Sequence, residues 1–166
     1  LGGAKALVIA TQAPGAPGAP VVTPVGANLV ANTLNVTTTN LQVSAAITAG
    51  AASGGSARLL LGTQVLASDL TIGAGDPAVT FELGTATAAA LQAAVPTGGA
   101  LTVVLRDAAG NDSLPSPATA LVADFIAPTL SVTSESSGVA VGATLAVTFT
   151  FSKNVTGFNA AAVAVT

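Results

Sequence analysis

Apolar side chains recur at every second position in short runs along this chain, and that period of two most constrains its fold. Leu145, Val147, Phe149 and Phe151 alternate with Ala146, Thr148 and Thr150, the clearest run. Leu41, Val43, Ala45 and Ile47 alternate with Gln42, Ser44, Ala46 and Thr48. Val79, Phe81 and Leu83 alternate with Thr80 and Glu82, and Leu101, Val103 and Leu105 with Thr102, Val104 and Arg106. Successive side chains of a strand point to opposite faces, so each run offers one apolar row to a core. Residues 58–61 and 64–67 flank Gly62-Thr63, a two-residue turn suited to a hairpin, and residues 118–123 close the set. About seven short strands between residues 20 and 126, parted by turn residues, predict an all-β antiparallel sandwich.

One segment breaks the alternation. Thr85-Ala-Thr-Ala-Ala-Ala-Leu-Gln-Ala-Ala-Val95 is rich in the best helix former, with Leu91 and Val95 four apart on one face. Thr85 or Thr87 can cap its start, and Pro96 with Gly98-Gly99 ends it. A short helix over residues 86–95, crossing one end of the sandwich, is the expectation; an Ala-rich loop is the alternative. Near the start, Ala6-Leu-Val-Ile-Ala10 reads as part of a lone strand over residues 5–11. The run Ala13-Pro-Gly-Ala-Pro-Gly-Ala-Pro20 excludes helix and central strand, so residues 12–19 read as a linker. From Pro128 the strand pattern restarts: Leu130 and Val132 mark a short strand, residues 145–151 a longer one, and Asn159 to Thr166 begin another. This second stretch is too short to bury a core by itself.

Composition narrows the chemistry. Charged residues are 7% of the 166, against roughly 25% in a typical soluble protein. The hydrophobic share of 51% is mostly Ala and Val, which sets the chain apart from disordered sequences of low hydrophobicity and high net charge. Mean hydropathy is +0.76, yet Thr, Ser, Gly or Pro interrupts every segment before the roughly 18 apolar residues of a spanning helix accumulate. Net charge is −3, and the four basic residues, Lys5, Arg58, Arg106 and Lys153, are scattered. A phosphate backbone needs a basic footprint, so nucleic acid is excluded as a partner. Without Cys or His, thiol catalysis, serine–histidine triads and ordinary zinc sites are excluded, leaving hard oxygen-ligand metals such as calcium. The absence of Cys is neutral about compartment. With Leu first and no signal-peptide pattern, the chain reads as a processed or excerpted piece of something longer.

Leu101-Thr-Val-Val-Leu-Arg-Asp-Ala-Ala-Gly-Asn-Asp-Ser113, followed by Ala123-Asp-Phe-Ile-Ala-Pro-Thr129, resembles the end of one bacterial immunoglobulin-like repeat, its junction Asp and the start of the next. Ala143-Thr-Leu-Ala-Val-Thr-Phe-Thr-Phe-Ser-Lys-Asn-Val-Thr-Gly-Phe158 is similar to the same family, in which a Thr/Phe strand leads into Ser-Glu-x-Val-Thr-Gly-Phe. It departs from the pattern at Lys153, where an acid is usual, and at Ala161-Ala162, where Ser-Asp or Asp-Asp is common. The resemblance implies tandem immunoglobulin-like repeats of a large surface or adhesin-like protein. Residues 1–11 would be the last strand of a preceding repeat, 20–126 a complete domain, and 127–166 the first half of a second. It further implies a non-enzymatic structural module at the bacterial cell surface or outside the cell: an adhesin stalk, a surface layer or a self-assembling fibre. A module that binds glycans or a host is the alternative, and an accessory domain of a secreted polysaccharide-degrading enzyme is a third reading.

Junction acids in that family often bind calcium, which the resemblance extends to Asp107, Asn111, Asp112 and Asp124. Such an ion takes six to eight oxygens and would stiffen the angle between repeats. The competing reading is that Asp and Asn in a Gly-containing turn bond their own backbone. The preceding linker, Ala10-Thr-Gln-Ala-Pro14, carries no acid at all. Asp76 and Glu82 superficially suggest the paired carboxylates of a glycosidase, but nothing makes them face each other, and no Trp or Tyr offers a sugar platform. The triplets at Asn35, Asn111 and Asn154 match glycosylation sequons and are common by chance in Thr- and Asn-rich sequence. Finally, outward strand positions hold Thr, Ser, Ala and Gln, which gives copies little electrostatic reason to stay apart. Packing with neighbouring copies is therefore expected, including addition of one chain's first strand to another's unfinished sandwich. The simpler reading of that unfinished half is that the sequence stops mid-repeat.

Overall fold

The computed structural model describes residues 11–84, 88–138, 140–159, 161 and 163. The chain forms two units, divided between Phe125 and Ile126. In the first lie β1 (Val21–Gly26), β2 (Thr33–Asn35), β3 (Thr38–Ala46), β4 (Ser56–Leu61), β5 (Gln64–Thr71), β6 (Ala78–Leu83), α1 (Ala88–Ala94), β7 (Gly99–Arg106) and β8 (Thr119–Asp124). They make two sheets, ordered β1-β3-β6 and β2-β8-β7-β4-β5, with every pairing antiparallel except β2 with β8. This is an all-β immunoglobulin-like sandwich.

The period of two becomes burial strand by strand. In β6 the pattern is strict, with Val79, Phe81 and Leu83 buried and Ala78, Thr80 and Glu82 exposed. Leu41, Val43 and Ala45 of β3 join them from one sheet; Ala57 and Leu59 of β4, Leu101, Val103 and Leu105 of β7, and Leu121 of β8 come from the other. Each fully buried Leu or Val removes apolar surface worth about 1.5–3 kcal/mol, and together these rows hold the two layers. The hairpin expected at Gly62-Thr63 is present: Leu61 faces Gln64, and Gly62 adopts φ 58°, a conformation that suits glycine.

Helix α1 forms where Ala replaces alternation. Leu91 and Val95 are completely buried, and the Val95 amide donates to the Leu91 carbonyl at 2.9 Å. The helix packs on β3. Residues 86 and 87 of the expected helix lie outside the described residues, as does all but Thr11 of the strand expected over residues 5–11.

Two strands carry no alternation that marks them. Strand β1 contains Pro24, which lacks a ladder donor, and β2 is three residues long and needs the distant β8 for its parallel partner. The return from β7 to β8 is also irregular. Pro115 and Pro117 leave the segment before β8 short of donors, and two serines bond the β7 backbone instead. Ser113 Oγ accepts from the Leu105 amide and Ser116 Oγ from the Val103 amide, each at 3.0 Å. The Ser113 and Ser116 amides in turn donate to the Leu105 and Val103 carbonyls at 2.8 and 2.9 Å.

In the second unit, β9 (Leu130–Ser134) and β10 (Val147–Phe151) pair antiparallel, setting Leu130 opposite Phe151 and Val132 opposite Phe149. Phe158 packs against both rings of β10, tilted to Phe149 with centroids 5.3 Å apart and edge-to-face with Phe151 at 5.0 Å. Of the further strand expected over residues 159–166, only Asn159, Ala161 and Val163 are described, and none of them is in a strand.

Candidate functional site

Three of the four residues singled out as calcium ligands, Asp107, Asn111 and Asp112, sit on the turn that leaves β7. Gly55, at the approach to β4, permits that turn to come close: a Cβ there would stand 1.9 Å from the Arg106 carbonyl oxygen. The chain then reverses through Asp107-Ala-Ala-Gly-Asn111, with Gly110 at φ 94°. Asp107 organises the reversal. Its Oδ1 accepts from the Ala109 amide at 2.9 Å and the Asn111 amide at 2.8 Å, and its Oδ2 accepts from Asn111 Nδ2 at 2.9 Å. The Asn111 side chain, then its amide, holds the Asp107 carboxyl below the usual aspartate range.

Asp112 is bound differently. Its Oδ1 accepts from Arg106 Nε at 2.7 Å, and its Oδ2 from Arg106 Nη2 at 3.0 Å and Arg58 Nη2 at 2.7 Å. The fork from Arg106 is the main reason its carboxyl is held below the ordinary value, with the charge of Arg58 adding to it. Two of the chain's four basic residues are thus gathered on one aspartate that joins β4, β7 and the turn.

Asp124 is not part of this group. It ends β8, level with Asn35 of β2. Because Gly99 pairs with Leu121 and Leu101 with Thr119, β8 runs from Thr119 past the Gly99 end of β7, whereas Asp107 follows the Arg106 end. At about 3.3 Å per strand residue, the length of β7 puts more than 20 Å between them. The junction reading grouped Asp107, Asn111, Asp112 and Asp124 at one place; the ladder puts the last of them at the other end of the sheet. Among the described residues, no three acids stand close enough together to hold a metal ion.

Asp76 and Glu82 likewise serve local roles. Asp76 Oδ2 accepts from the Gly73 amide at 2.7 Å, closing the loop before β6. Glu82 accepts from Gln42 Nε2 at 2.6 Å and Asn40 Nδ2 at 2.9 Å, and these bonds, that from Gln42 first, hold its carboxyl below the usual range. A hollow of about 460 Å³ lies between residues 50–53 and the turn 107–109. Its walls are mainly Ala and Gly, and its one titratable group is Asp107, whose carboxylate is committed to the turn. The arrangement braces a loop.

Residues 124–166 match a family model described as a bacterial Ig-like domain. That stretch contains the Thr-Phe-Thr-Phe and Val-Thr-Gly-Phe segments on which the resemblance rests. No curated protein matches the chain. Bacterial Ig-like domains are, as a family, structural or adhesive modules and generally not catalysts. Among the described residues, no helix is long and apolar enough to cross a membrane.

Proposed function

We propose that this chain is a structural repeat segment of a large extracellular bacterial surface protein, an adhesin stalk, surface layer or self-assembling fibre, with its two units as successive Ig-like modules. The observation that carries this reading is how the first unit spends its polar groups. The buried polar side chains Thr38, Ser113 and Ser116 all bond backbone of their own module, and Asp107, Asp112, Asp76 and Glu82 bond its turns and strands. Side chains fill the space between the sheets, and these polar contacts stiffen the module. That suits a part that bears load or sets spacing.

The test is a glycan array probed with the soluble chain, with electron microscopy of concentrated samples. No saturable glycan binding, together with ordered filaments or lattices, is the expected result. Saturable binding by monomer would replace this reading with that of a lectin-like module.

Calcium at Asp107, Asn111 and Asp112 is the weaker reading of this group, set against the bracing of the turn. To bind there it must displace amide and guanidinium donors from carboxylates that already have them. Titration with calcium is therefore expected to leave Tm unchanged. A rise in Tm that Asp107→Asn abolishes would instead make the ion part of the module.

A further inference from the structure

Among the described residues, the outer edge of β6 is the sheet margin of the first unit that pairs with no further strand and carries none of the usual blunting devices. Sheet edges expose unpaired N–H and C=O groups, and proteins blunt them with proline, bulges or short strands. Here β1 carries Pro24 and a register shift at Val25/Gly26, β5 pairs through two shifts with β4, and β2 is three residues long. Strand β6 has none of these. It runs six residues in unbroken register with β3 and is last in its sheet.

The phase of the ladder tells which groups face outward. The Ile47 amide donates to the Pro77 carbonyl at 2.9 Å, so the odd-numbered residues of β6 turn their backbone groups towards β3. Ala78, Thr80 and Glu82 therefore direct theirs to the open edge. The one charge on this stretch is drawn away from it, because both donors to Glu82, Asn40 and Gln42, belong to β3.

Those three residues are self-complementary. With two β6 strands antiparallel about a two-fold axis at Thr80, Thr80 faces Thr80 of the second copy. Ala78 then faces Glu82, and Glu82 faces Ala78. Each pair exchanges both backbone bonds, a threonine pair is favourable across strands, and no carboxylate meets another. On the inner face Val79 falls opposite Phe81. A closed isologous contact of this kind joins two three-stranded sheets into one. The geometry points to the β6 edge as a homotypic docking site, at which a second copy of this chain adds its own β6 in that register. The inference rests on reading the chain as a self-packing structural module, and names the surface.

The chain has no Cys, so Thr80→Cys introduces a single thiol. Opposed hydrogen-bonded residues lie about 5.5 Å apart at Cα, a separation that a disulfide spans. Under mild oxidation the full chain carrying Thr80→Cys is expected to form a covalent dimer, while Thr63→Cys, on the exposed β4–β5 turn, remains monomeric. In sedimentation experiments Ala78→Lys, which sets an ammonium opposite Glu82, tightens the dimer roughly three- to tenfold, and Ala78→Glu weakens it by a similar factor. Thr80→Pro removes an outward N–H that the β3 ladder does not use, so it should abolish the dimer while leaving the circular dichroism of the wild type.

A wild-type chain that stays monomeric to its solubility limit overturns the inference, as does Thr80→Cys that resists cross-linking. Dissociation by Thr80→Pro without cross-linking at Cys-substituted Thr80 also overturns it, since a segment other than β6 would then occupy the edge. Assembly that ignores Ala78→Lys, Ala78→Glu and Thr80→Pro sinks this edge but leaves the structural reading standing. Saturable glycan binding by monomer sinks that reading itself.

Discussion

Ser113 and Ser116 carry a task that a strand would ordinarily perform. Each hydroxyl accepts a β7 amide and donates to a neighbouring carbonyl, Ser113 to Leu114 at 2.8 Å and Ser116 to Pro117 at 3.0 Å. Both are buried, so removing the oxygen strands the Val103 or Leu105 N–H away from water. Ser116→Ala is expected to cost about 1–3 kcal/mol, the desolvation of one unsatisfied amide, and Ser113→Ala a similar amount. Urea unfolding followed by circular dichroism checks this, and a change within about 0.5 kcal/mol for both would mean that water replaces the hydroxyls. Sequence could not reveal the arrangement. The pattern Ser-Leu-Pro-Ser-Pro reads as loop, which it is, and only the positions of Val103 and Leu105 show that the loop continues a ladder. The grouping of Asp124 with Asp107 failed for a related reason. Both precede the boundary after Phe125, but β7 and β8 lie antiparallel side by side and carry them to opposite ends of the sheet.

Among the elements, legibility followed how much of the pattern an element's own residues carry. Strands β3 and β6 bury one face and leave the other wetter, so their own residues announce them; β7 alternates less cleanly because Val104 on its second face is buried too, and the β4–β5 hairpin is marked by Gly62 in its turn. Helix α1 was legible as the favoured of two readings, since its two anchors, Leu91 and Val95, fall four apart in a run of Ala. Strand β2 is the counter-example. Only Leu34 of its three residues is buried, and what makes it a strand is β8, nearly ninety positions on. The same logic separates edges from interiors. Pro24 at the β1 margin and the uninterrupted β6 differ in their invitation to partners, a distinction visible in residues once topology says which strands are outermost.

The whole chain pairs a closed unit with an open one, and their stabilities should differ accordingly. In the first, buried rows from both sheets and the helix form one core. In the second, all five residues of β9 are exposed, and Leu130, Val132 and Val147 remain about half-exposed beside the Phe149–Phe151–Phe158 cluster. A two-stranded ribbon is marginal in water, because one apolar face without a second layer cannot offset the entropy of ordering it. Native-state hydrogen exchange should read this directly. Amides of β3 and β7 should open only with global unfolding, at about 5 kcal/mol or more, whereas those of β9 and β10 should exchange with protection near zero. Equal protection in both sets would mean that something covers the Leu130–Val132–Phe149 face in solution. If the cover were a second copy, the protection of β9 and β10 would climb with protein concentration while that of β3 stayed fixed.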